Sequence, residues 1–156
     1  CGAIDPAIII YLLKNEKLSL NEIDIALNKQ SGMLGVSKLS SDMQEIHKAI
    51  ASGNNQAKLA HQMFSLSIAK AIAAMSSNFT RLDAIAFTGG IGFHDPITRA
   101  AILPPGNLLG LEIESTINEK PGANGLISNQ NSACKIFAIA ANEELMIAQE
   151  CLAFGD

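Results

Sequence analysis

The hydrophobic pattern opens helical. Asp5-Pro6 followed by AIIIYLL reads as an N-cap, a proline at the first helical position and a short buried helix. Ser19-Leu20-Asn21-Glu22 has the form of a capping box, in which the serine oxygen and the glutamate carboxylate satisfy each other's orphan amides. The helix it opens is expected to run to about Lys29 and stop at SGMLGVS, which reads as a flexible stretch. Ser41 and Gln44 suggest a second capping box, heading a helix that ends at Gly53. The longest periodic segment spans Asn54 to about Asn78. There Ala60, Phe64, Ile68, Ile72 and Met75 recur at three- and four-residue spacing, and Leu59 and Met63 widen the stripe.

The pattern then changes. Asp83 to Thr88 is a short continuous apolar run that ends abruptly in Gly89-Gly90-Ile91-Gly92, as a buried strand would. A helix signalled by Asp95-Pro96 stops before Pro104-Pro105. Leu111–Ile113, Gly125–Ile127 and Lys135–Ala140 are further strand candidates, with a turn cluster over Pro121–Gly125. Asn142 is placed to cap a last helix, Glu143 to about Ala153. No repeat, low-complexity tract or linker appears. The reading is one α/β domain over residues 1–156, with helices in the majority and a small sheet.

Composition narrows the function classes. The 156 residues are 48% hydrophobic and 17% charged, without Trp, as expected of a globular chain with an aliphatic core. A net charge of -4, with the basic residues scattered singly, argues against nucleic-acid binding. The longest apolar run, Ala7–Leu13, is too short to span a bilayer, and no membrane association is expected. Cys1, Cys134 and Cys151 lack metal-type spacing, so a reducing, cytoplasmic setting fits best.

The segment FTGGIG, Phe87–Gly92, is the most informative for chemistry. Glycines let backbone amides approach a phosphate or ribose where a Cβ would collide. The helix expected at Asp95 or Pro96 adds a positive dipole end behind them. Many α/β proteins need glycine at such a turn for purely structural reasons, and both readings stand. The pattern is neither G-x-G-x-x-G nor a P-loop, and the ribose-binding acid of a dinucleotide fold is also missing. Asp42, Glu143 and Glu144 lie in first turns of helices, where stabilising the helix dipole is the simpler role; a functional glutamate at 143 or 144 would be a cation ligand. His47, His61 and His94 share no metal spacing, and His47 and His61 read as helix-surface residues.

Taken in order, DPAI, NKQSGMLGVS, SSDM, FTGGIG and NEELMIA strongly resemble the C-terminal part of the acetate kinase family, from Ile4 to Ala148. The resemblance implies part of a C-terminal domain of the actin/hexokinase-like (ribonuclease H-like) kinase fold. It also implies phosphoryl transfer between ATP and acetate, or propionate in close relatives, with Mg²⁺, in a homodimeric enzyme. Asp42 and Met43 match an aspartate-led turn at the adenine and ribose, where Gln44 replaces the family's arginine. Gly89, Gly90, Ile91 and Gly92 match the turn at the ribose and α-phosphate, and Phe93 replaces the usual glutamate. Glu143 matches the acid associated with Mg²⁺.

The family's acyl pocket, catalytic aspartate and histidine, one catalytic arginine and a phosphate-contacting loop fall upstream of the matched region. No catalytic residue is therefore expected within these 156 residues, and the chain by itself is expected to be inactive. The missing region should also hold strands of the same sheet. Family members read Arg, a small residue, then Gly-x-Ile/Leu-Asp-Pro, whereas this chain opens Cys1-Gly2-Ala3-Ile4-Asp5-Pro6. That places a catalytic arginine just before Cys1; a proteolytic cut after it is the expected origin of the boundary, with a split gene or a designed boundary as the alternatives. The other reading is a non-catalytic nucleotide-binding or interaction module that keeps the fold without the reaction. Gln44 and Phe93 point that way; Glu143 and the glycine turn point back to the enzyme.

Overall fold

A computed structural model describes residues 1–154, which fall into two compact units divided after Phe64. The first unit is all helical. It carries α1 (Pro6–Lys14), α2 (Leu20–Asn28), α3 (Gly32–Ser37), α4 (Met43–Ala51) and the beginning of α5 (Asn55–Ser76). Local chemistry sets most of these starts. The Asp5 carboxylate accepts from the Ala7 amide ahead of Pro6, and the Ser19–Glu22 box forms in full. Met43, Ile46 and Ala57 form the core of this unit, with Met33 and Phe64 against them.

Four sequence expectations are corrected here. SGMLGVS is not a flexible stretch but α3, whose Met33 packs on the core and whose Gly35 lets the turn close on the Gln30 carbonyl. Tertiary contact outweighs the poor helix propensity of its glycines. Asp42 rather than Ser41 caps α4, because the Asp42 carboxylate accepts from the Gln44 amide at 2.7 Å, so the Ser41–Gln44 box does not form. α1 is not buried: Ile8, Ile10, Tyr11 and Leu13 are exposed in this chain. His61 is not a surface residue. It is 7% exposed and meets His47 edge-on, with ring centroids 5.0 Å apart.

The second unit holds the rest of α5 and the sheet. Strands β1 (Ala84–Phe87) and β2 (Lys135–Ala138) pair in parallel, with Ala84 opposite Lys135 and Phe87 opposite Ala138. Between them in sequence come α6 (Gly89–His94), α7 (Pro96–Ile102) and α8 (Ser115–Glu119); α9 (Glu143–Ala153) follows β2. The core gathers Phe87, Ile102, Leu103, Leu111, Ile127 and Ile136, with Ile68 and Ile72 of α5 packed on it. Leu59 and Met63 of α5 do not join a buried stripe, being 46% and 52% exposed. All three cysteines are free thiols.

Two strand candidates are also corrected. Leu111–Ile113 and Gly125–Ile127 are not strands; they contribute isolated antiparallel bridges, Ile113 with Ser128 and Leu126 with Phe137. Gly125 sits at φ of +69° within its segment, and Gly110, at +63°, bends the chain just before Leu111, which leaves little extended length on either side. The strand expected to reach Ala140 ends at Ala138. No helix among the described residues is long and apolar enough to cross a membrane.

Candidate functional site at the carboxyl ends of the parallel strands

β1 delivers the chain directly into a helix. Gly89, at φ +73°, makes the bend, and α6 begins there rather than at Asp95 or Pro96. The glycine-rich segment is thus itself helical, and Asp95 caps a second short helix, α7, through the Thr98 amide at 2.9 Å. Gly92 makes a close approach: a Cβ there would lie 3.2 Å from the Phe87 backbone, a tight contact. α6 is therefore seated against the end of its own strand.

Phe87 and Ala138 are register partners, so the chain leaves both strands at the same edge. Beyond Ala138 it passes Ala140 and Ala141 to Asn142, whose side chain accepts from the Leu145 amide and starts α9. These two exits enclose a cleft of roughly 490 Å³. Gly89, Gly90, Phe93 and His94 line one wall, and Asn142, Glu143 and Glu144 line the other. Ligands of open α/β sheets bind at this position, outside the carboxyl ends of the strands. The Phe93 and His94 rings meet edge-on at 4.8 Å on the first wall.

Of the residues singled out in the sequence, Gly89, Gly90, Phe93 and Glu143 come together here. Ile91 and Gly92 belong to the same helix but not to the cleft wall. Asp42, Met43 and Gln44 lie in the first unit, with Met43 buried in its core and Asp42 and Gln44 exposed. The cleft's charged groups are two carboxylates, and no lysine or arginine lines it. Among the described residues no cluster of three or more His, Cys, Asp or Glu side chains is arranged to hold a metal. The donor set suits Mg²⁺ arriving on a nucleotide, since that ion takes one or two carboxylates and fills its octahedron with phosphate oxygens and water.

Beneath this wall lies a residue that the sequence did not flag. Arg99 of α7 is 1% exposed. Its Nη1 donates to the carbonyls of Gly92 at 2.9 Å and Phe93 at 2.6 Å. Its Nε donates to Asn118 Oδ1 at 2.7 Å, and Nη2 donates to the Asn118 carbonyl. Asn118 Nδ2 in turn donates to the Pro96 carbonyl at 2.9 Å. Burial pushes the guanidinium down from its usual range, and the Asp95 carboxylate opposes that shift. An arginine standing singly in the sequence carries no mark of this role.

The model of the acetokinase family matches residues 1–149. The chain belongs to the acetate kinase family. Among curated relatives, an acetate kinase of Clostridium botulinum (strain Eklund 17B) is 43% identical over 98% of this chain and 39% of its own length. An acetate kinase of Pseudothermotoga lettingae is 40% identical over 96% of this chain and 37% of its own length. Among solved structures, Porphyromonas gingivalis acetate kinase superposes with a TM-score of 0.88 at 33% identity, covering 99% of this chain and 39% of that one. A propionate kinase from Francisella tularensis gives 0.88 at 42% identity, covering 96% and 38%. The fold is accordingly the actin/hexokinase-like α/β fold of this family, helix-rich with a small parallel sheet. The chain spans less than two fifths of the length of the P. lettingae relative.

Proposed function

We propose that the chain is the C-terminal, nucleotide-side portion of a longer two-domain cytoplasmic kinase that moves a phosphoryl group between ATP and acetate or propionate. In the forward direction a carboxylate oxygen of the acid would bond to the γ-phosphorus as the bond to the ADP oxygen breaks, giving acyl phosphate and ADP. The observation that carries the reading is the cleft at the carboxyl ends of β1 and β2. It joins Gly89 and Gly90 to Glu143, residues more than fifty positions apart that the family resemblance assigns separately to ribose–phosphate and to Mg²⁺.

Within this cleft the chain's own part is binding and orientation. Gly89 and Gly90 present backbone with no side chain, so phosphate oxygens can approach closely. Glu143, exposed at the head of α9 and lining the cleft, is the acid that the resemblance assigns to a nucleotide-borne Mg²⁺. That ion, when bound, would offset charge on the phosphates. Asp42, Met43 and Gln44 are assigned to adenine and ribose on the resemblance alone.

A titration tests both assignments in the full-length protein. Glu143→Ala should shift the Mg²⁺ dependence of turnover to higher concentration while leaving the melting temperature nearly unchanged. Gln44→Arg should tighten ATP by about 1 kcal/mol, the scale of a charge-assisted contact. A Glu143→Ala protein that melts earlier but titrates like the parent returns Glu143 to a helix-dipole role. Calorimetry that finds ATP binding unchanged in Gln44→Arg removes that turn from the site.

A second reading, a non-catalytic nucleotide-binding or interaction module, is favoured by one feature: the cleft wall carries Phe93 and no lysine or arginine. Turnover by the full-length protein excludes it. The same proposal includes a homodimer, supported by α1 and α9, which bury no residue yet carry Ile8, Ile10, Leu145 and Ile147. Light scattering of the chain should show self-association, and a clean monomer at high concentration would count against it.

A further inference from the structure

We propose that Arg99 is a positioning residue for the nucleotide cleft, holding the carboxyl end of α6 so that Gly89, Gly90 and Phe93 keep one geometry. The proposal rests on the nucleotide reading above. α6 has only six residues, too few to be stable by its own hydrogen bonds. Its last carbonyls would also be left without partners inside the helix. One nitrogen of Arg99 satisfies two of them, at Gly92 and Phe93.

The rest of the same guanidinium is fixed to Asn118 on α8, and Asn118 is fixed to the start of α7 at Pro96. Three short helices are thus tied to a single planar group. On its other side α6 is stopped by the Gly92–Phe87 contact. The wall is held between a strand end and a buried cation, and Arg99 itself does not line the cleft. It acts on the ligand only through the backbone it holds. A lysine could not substitute, because a single ammonium cannot reach the α6 carbonyls and Asn118 in the same fork.

The test uses the full-length protein with Arg99→Lys and Asn118→Ala. Steady-state constants for Mg–ATP and for acetate would be measured beside deuterium exchange of the Gly90–His94 amides. Arg99→Lys is expected to raise the KM for ATP about tenfold, with the KM for acetate within about twofold, the scale of losing charge-assisted contacts on one wall only. Exchange across Gly90–His94 should quicken. Asn118→Ala should move both readouts the same way by less, and it decides the matter if Arg99→Lys does not fold. Unchanged ATP constants and exchange in a folded variant, with wild-type ATP binding intact, overturn this proposal alone. A wild-type protein that does not bind ATP overturns the nucleotide reading and this proposal with it.

Discussion

Gly125→Ala is expected to destabilise the chain by about 3 kcal/mol or more, a large share of the 5–15 kcal/mol typical of a whole domain. Two costs add. The residue sits at φ +69°, where an alanine pays roughly 1–2 kcal/mol for the left-handed backbone. The new Cβ would also lie 2.5 Å from the Ala138 carbonyl oxygen, well inside contact distance. Neither can relax cheaply: Gly125 is buried, and its own carbonyl accepts from the Ala138 amide at 2.8 Å. Two nearby glycines separate the terms. Gly106, at φ +73° with open space around it, should pay only the backbone cost on going to alanine. Gly122, without positive φ and with nothing closer than 3.9 Å, should change little. Urea midpoints for the three variants measure the series, and equal midpoints for Gly125→Ala and Gly106→Ala would remove the steric account.

The purified 156-residue chain is expected to show no turnover in an acetyl phosphate assay, while still binding Mg–ATP weakly. Phosphoryl transfer is catalysed chiefly by positioning and by cations at the moving group, and a single arginine there is worth about 10³–10⁵ in rate. The cleft offers two carboxylates, a histidine and an aromatic ring, with no lysine or arginine on its wall. Two carboxylates repel a bare triphosphate unless a metal ion intervenes. Acetyl phosphate formed by the chain, free of any longer protein, would show that the reacting groups lie within these residues.

The helix starts that were legible have local causes. Asp5 with Pro6, Ser19 with Glu22, and Asn142 each satisfy amides within three residues, and all cap as their chemistry suggests. Much of what failed depended on distant partners; the Ser41–Gln44 box is the exception, because the neighbouring Asp42 takes the Gln44 amide. SGMLGVS becomes helical because Met33 has a core to enter, and Gly125–Ile127 falls short of a strand because Gly125 must pass under Ala138. The site divides in the same way. The glycine turn and Glu143 could be read as separate pieces, but the parallel register that brings them into one cleft could not. Arg99 was invisible because its partners are main-chain carbonyls and an asparagine on another helix. Carbonyls leave no trace in a residue pattern.

The register of the parallel pair has a consequence for the order in which the molecule assembles. Ala84 meets Lys135 only after the chain between them has looped back, a closure of roughly fifty residues whose entropy must be spent before any strand contact repays it. The core of residues 1–64 closes shorter loops, the farthest being Met33 to Phe64. Both walls of the cleft are direct continuations of β1 and β2. The candidate cleft therefore belongs to the part of the fold with the longest-range strand contacts. A ligand bound there would add its binding free energy to the stability of the paired strands.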